Sequence, residues 1–153
     1  MRASYALLAA SDVLLMVLTA AVGLMVRGQE GFGRHFLLGV LTAMFTSLIH
    51  VIFFMYFVVQ NKIATQAILQ GDVDAALAPR VQGLKARALR SGMVGIGTLL
   101  LAVILGALVG QGVQPEAHLV AAFAAMFFNA AVFFYQYTLL VEYADLARAA
   151  FGE

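Results

Sequence analysis

The chain has no cysteine, no tryptophan, only two prolines and few charges: Lys, Arg, Asp and Glu together make up 11% of its 153 residues. Each shortage excludes something. Without cysteine there is no disulfide framework, thiolate metal centre, iron–sulfur cluster or Cys-attached c-type haem. A formal net charge of +1 leaves no basic face for a nucleic-acid partner. What fills the chain instead is apolar: 63% of residues are hydrophobic and the mean hydropathy is +0.96. A soluble domain is typically about 45–50% apolar and about 25% charged. In water this chain would expose too much apolar surface to stay dissolved, and its length suits a single domain.

A helix crosses a bilayer with roughly 20 apolar residues. Four stretches qualify: Ser4 to Val26, His35 to Gln60, Leu89 to Gly110, and Glu116 to Leu146. The fold class expected is all-α, an antiparallel bundle of four transmembrane helices. The first span is read as retained, because it carries Asp12 and because "TAAVGLMVRGQ" lacks the small-residue pattern of a cleavage site. The first and third connections, "RGQEGFGR" and "QGVQPE", are short. The middle one, residues 61–88, is longer and polar. Its "DVDAALAPRVQGLKARALR" reads either as an interfacial amphipathic helix interrupted at Pro79 or as a solvated connector.

The cations give an orientation. Arg2, Lys62, Arg80, Lys85, Arg87, Arg90 and Arg148 fall on one side of the membrane, and only Arg27 and Arg34 on the other. This predicts cytoplasmic termini, as in a bacterial inner-membrane protein. It also places His35 and His118 at the outer ends of the second and fourth spans.

The two halves resemble each other. "AVGLMVRGQEGFGRH" and "ILGALVGQGVQPEAH" align at an offset of 83, which pairs Gly23 with Gly106, Val26 with Val109, His35 with His118 and Thr46 with Asn129. The pattern reads either as a duplication, giving two helical hairpins about an axis along the membrane normal, or as chance in low-complexity apolar sequence.

Polar groups in a membrane bundle face its interior, because hydrocarbon offers them no partner. At about 100° per residue, His35, Gly39, Thr42, Thr46, Phe53 and Gln60 fall within about 40° of one line on the second span, with His50 at the edge of that stripe. His118, Ala122, Ala125, Asn129, Gln136 and Tyr143 make the equivalent line on the fourth. A rise of about 1.5 Å per residue sets His50 about 22 Å below His35, near the depth of Asp12. Two polar layers are therefore expected. The outer is His35 with His118. The inner is Asp12 and His50 with Tyr135 or Gln136.

Two imidazoles on facing helices can hold a b-type haem. Here His35 and His118 would be the iron ligands, Gly39, Thr42, Ala122 and Ala125 would leave room for the macrocycle, and Thr42 or Thr46 would orient a ring nitrogen. Asp12, His50 and Tyr135 suit a quinone head group or a step in a proton path, and equally a structural Asp–His pair. Gly92, Gly95 and Gly97 would let another helix approach closely. No phosphate loop, dinucleotide fingerprint, HExxH or nucleophile triad is present.

"GRHFLLG", residues 33–39, resembles the Arg-His-Leu stretch of the membrane-anchor subunits of succinate dehydrogenase, small haem b proteins. That family's ligand histidine lies upstream of the stretch, where "MVRGQEGFGR" has none, and its anchors have three spans per subunit. The resemblance therefore carries no function over. Two readings from different classes stand. One is a small subunit of a respiratory or photosynthetic electron-transfer complex with haem b or quinone between the second and fourth spans. The other is a non-catalytic accessory subunit with structural histidines and no cofactor. Both place the chain in lipid beside other membrane subunits or copies of itself, and four short spans make a transporter the weaker third.

Overall fold

The computed structural model describes residues 1–112 and 114–151. Four helices follow one another: α1 (Arg2–Leu24), α2 (Gly28–Gln70), α3 (Ala78–Val109) and α4 (Pro115–Phe151). All four are long and apolar enough to cross a membrane. The chain is an all-helical four-helix bundle of the kind an integral membrane protein presents to lipid. Large apolar side chains, among them Leu7, Leu14, Leu37, Phe127 and Phe134, point outward.

The helices run well past the expected spans. The 43 residues of α2 extend about 65 Å, roughly twice the hydrocarbon thickness of about 30 Å. Residues 61–88 are therefore not a separate amphipathic helix. They are the end of α2, a short turn and the start of α3, a helical hairpin that overhangs the apolar zone. The turn has local causes. Gly71 takes φ 81°, and the amide hydrogens that follow the helix return to the carbonyls of Ala67 and Ile68, a glycine C-terminal cap. The Asp74 carboxylate accepts the amide hydrogen of Ala76 at 2.8 Å across a single 3₁₀ turn, Ala75–Leu77. Pro79 does not interrupt a helix but opens one, in the first turn of α3, where its missing N–H costs nothing.

Each helix packs on its neighbours in chain order, and α1 closes the ring against α4. The second and fourth helices thus stand diagonally. Their side chains meet on the bundle axis, and they do so at equivalent positions. His35 faces His118 with ring centroids 5.9 Å apart. His50 stacks on Phe133 at 5.0 Å. The Tyr143 hydroxyl donates to Gln60 Oε1 at 2.7 Å. All three pairs are 83 residues apart. A residue touches its own equivalent only on a twofold axis, so the offset seen in the sequence is a real pseudo-twofold of the bundle.

Below, "far end" denotes the end carrying the α1–α2 and α3–α4 connections, and "near end" the one carrying the termini. The apolar core lies toward the near end, where Tyr5, Phe53, Phe57, Leu84, Phe133, Leu139 and Leu140 form one buried cluster. Tyr5 and Phe53 meet at 5.2 Å, and Phe53 and Phe57 at 5.1 Å. Arg87 and Glu142 join α3 to α4 at the surface, a contact worth little where water reaches it. Phe53 is 0% exposed, whereas Phe134 is 73% exposed. Phe53→Ala should cost about 3–5 kcal/mol through the cavity it leaves. Thermal unfolding in detergent should show a clear loss for Phe53→Ala and almost none for Phe134→Ala.

Candidate functional site

The far end holds a cavity of about 440 Å³ on the bundle axis. His35 and His118 line it from opposite sides, with Gly39, Thr42, Ala122 and Ala125 around them and Met16 and Thr19 on α1 toward its base. The small residues of the two polar stripes thus lie around the cavity beside the histidines. Aromatic and apolar groups, Phe32, Phe36, Phe123 and Met126, complete the wall.

Two glycines set the position of the histidines. A Cβ on Gly23 would lie 2.6 Å from His35 Cε1, and one on Gly106 would lie 2.8 Å from His118 Cε1. Each ring therefore rests on the backbone of the neighbouring helix, in a space that only glycine leaves open. The same twofold relates the backbone partners. His118 Nδ1 donates to the Ala102 carbonyl at 3.0 Å. A carbonyl only accepts, so Nδ1 carries a proton, which leaves Nε2 as the nitrogen that could ligate. The equivalent partner of His35 is the Thr19 backbone, which interacts with the ring without reaching hydrogen-bond geometry. His35 Nδ1 is left buried and unsatisfied.

The floor of the cavity is a second polar level. The hydroxyls of Thr19 and Thr42 meet at 2.7 Å. One turn further in, Thr46 donates to Asp12 Oδ1 at 3.0 Å. Thr46 is thus a partner of Asp12, not a support for either outer histidine.

The inner layer is packed tightly around His50, which is 1% exposed. Its Nε2 lies 2.9 Å from Asn129 Oδ1 and its Nδ1 lies 3.2 Å from Gln136 Oε1. Both amides are held from behind. Asn129 donates to the carbonyl of Ala125 at 2.9 Å, and Gln136 donates to Ser91 Oγ at 3.1 Å. Tyr5 donates to Gln136 Oε1 at 2.6 Å. Asp12 is not paired with His50, and neither residue lines the cavity.

Tyr135, expected in this layer, is 40% exposed and lies beside Arg87 on the outer face. The buried hydroxyl belongs to Tyr5. Its position in the first turns of α1 hid it, because a tyrosine near a span end reads as an interfacial residue. Of the α3 glycines, Gly92 lies against α2 as expected, a Cβ there coming 3.8 Å from the His50 carbonyl oxygen, and the other two differ. Gly95 admits side chains rather than a second backbone, for a Cβ there would collide with His50 Nε2 and lie 2.8 Å from Asn129 Oδ1. Gly97 meets nothing.

Among the described residues no group of three or more His, Cys, Asp or Glu side chains could hold a metal ion by itself. A metal at the far end would have two protein ligands, His35 and His118, and would need the rest of its coordination from a planar macrocycle or another small molecule.

Gly95→Ala should break the His50–Asn129 contact and leave buried polar atoms unpaired, at about 1–3 kcal/mol. Gly97→Ala should be neutral. Thermal unfolding in detergent separates the two. No family model matches the chain, and no curated protein or solved structure was found to resemble it.

Proposed function

We propose that the protein is a small membrane subunit of an electron-transfer complex, and that His35 and His118 hold a b-type haem on the bundle axis at its far end. The observation that carries this reading is the pair of glycine-seated imidazoles facing each other across the mouth of an axial cavity. Three features support it. The two rings stand 5.9 Å apart across the cavity, so both could hold one bound group. His118 offers its Nε2 while its Nδ1–H is anchored on a carbonyl, the usual second bond of a ligating histidine. The cavity volume falls within the range of cofactor sites, about 300–1,000 Å³, and its wall is mostly apolar.

A bound haem would supply reversible one-electron chemistry. The chain's own part is to fix both imidazoles, exclude water and leave room for the macrocycle. The quinone reading has weaker support. The head-group site it would use, around His50, is filled by amides and aromatic rings.

The distribution of Lys and Arg supports cytoplasmic termini in a bacterial inner membrane, which puts the haem toward the outer surface. Little of the chain extends beyond the bundle, so electrons would pass to and from other subunits or a second copy across the lipid-facing helices.

The test is a dithionite-reduced minus oxidised visible spectrum of the protein purified in mild detergent from haem-replete cells. A sharp α-band is expected. His35→Ala and His118→Ala should each abolish it. Gly106→Ala, which pushes the His118 ring, should lower haem occupancy severalfold without unfolding the bundle. A flat spectrum from folded wild-type protein would overturn the reading and leave the accessory-subunit role.

A further inference from the structure

The outer layer is the same in both halves of the molecule, but the layer beneath it is not. Where the first half has Asp12, the second has Gly95. Where the first has Thr46 and His50, the second has Asn129 and Phe133. The divergence leaves one carboxyl group inside the bundle with no counterpart. Among the described residues Asp12 is the only buried Asp, Glu, Lys or Arg, and it is 0% exposed. Its Oδ1 accepts from Thr46, while its Oδ2 is buried without any partner.

The position of Asp12 links it to the far-end site. Met16, one turn above it on α1, lines the cavity. Thr46, which holds it, lies one turn from Thr42, which lines the cavity and meets Thr19. The carboxyl therefore sits about 5 Å, one helical turn, beneath the cavity floor. The ionisable groups around it are few. Its own helix contributes Tyr5, whose hydroxyl donates to Gln136 Oε1. The second helix contributes His50, one turn beyond Thr46. At this depth α4 offers the amides of Asn129 and Gln136, and the diagonal α3 offers Ser91 and Gly95. Among the described residues no Lys or Arg is buried there to hold Asp12 permanently charged.

An ionisable group kept inside a membrane bundle at a cost usually serves transport or proton transfer. We propose that Asp12 binds the proton that accompanies an electron into the His35/His118 site, which makes that site a proton-coupled one. The inference rests on the haem reading of the site. In the step, a one-electron donor of the quinol or reduced-haem class gives one electron to the ferric centre, which becomes ferrous. One proton from water bonds to Asp12 Oδ2, and no other bond breaks. Charge drives the coupling. Asp12 and Thr46 each lie eleven residues from the level of the outer histidines, about 16 Å, and two unit charges that far apart in an effective dielectric of about 20 alter each other's occupancy roughly fivefold. Loss of a positive charge at that site would favour the protonated form of the Asp12 carboxyl.

The experiment is a redox titration of the full-length haem-loaded protein across the neutral pH range, with Asp12→Asn beside it. The wild-type midpoint potential should fall by about 40 mV in all as pH rises through the range in which Asp12 titrates, the one-electron equivalent of a roughly fivefold change in its proton affinity. Asp12→Asn should keep the α-band and lose the slope. A reduced-minus-oxidised infrared spectrum of the wild type should gain a protonated-carboxyl C=O band, a readout that holds even if the variant fails to fold. A flat wild-type slope, an unchanged slope in Asp12→Asn, or no carboxyl band would overturn the coupling while the haem reading stood. A wild-type protein with no α-band would overturn both.

Discussion

Polar side chains inside a bilayer must find their partners within the protein, and in this chain many of them meet on the bundle axis. His50 with Asn129 and Gln136, Thr46 with Asp12, Thr42 with Thr19, and Gln60 with Tyr143 all join different helices there. Apolar packing alone would let four greasy helices slide or rotate against each other, because lipid is as apolar as their side chains. The axial contacts remove that freedom. A rotation of α2 by one residue, about 100°, would turn His50 out of reach of both amides. The register that satisfies the inner layer is also the one that brings His35 and His118 face to face about 22 Å further along the axis.

Glycine does the complementary work. Gly23, Gly95 and Gly106 each lie where a polar ring or amide from another helix needs the space of a missing Cβ. Two of the three are twofold equivalents and serve equivalent histidines. The third, Gly95, occupies the position of Asp12 in the other half. At that level one half thus has a carboxyl and the other a space that His50 fills. The symmetric layer suits a ligand held identically from both sides. The asymmetric layer gives the bundle a chemical difference between its halves.

Much of this was legible in the sequence. Four apolar runs gave the four helices, because hydropathy responds directly to lipid. The 83-residue offset was visible in a handful of residues, and the polar stripes on α2 and α4 identified most of the axial residues. Three things were not legible. The helices overrun the apolar zone, because hydropathy marks where lipid ends and not where backbone hydrogen bonding ends; residues 61–70 are polar but still helical. The diagonal placement of α2 and α4 is a tertiary fact that no single helix encodes. Tyr5 and Tyr135 exchanged roles because periodicity gives a face only relative to a known axis, and the tilt and curvature of a long helix shift that face along its length.

Ligand rescue tests most directly whether His35 and His118 jointly clamp a group on the axis. His35→Gly and His118→Gly would each be purified and titrated with free imidazole while the reduced visible spectrum is recorded. Each variant should lose the haem α-band and regain it as imidazole fills the vacated position, with the double variant needing both positions filled. An α-band that persists in either variant without imidazole, or wild-type protein that folds and carries no haem, would contradict the account.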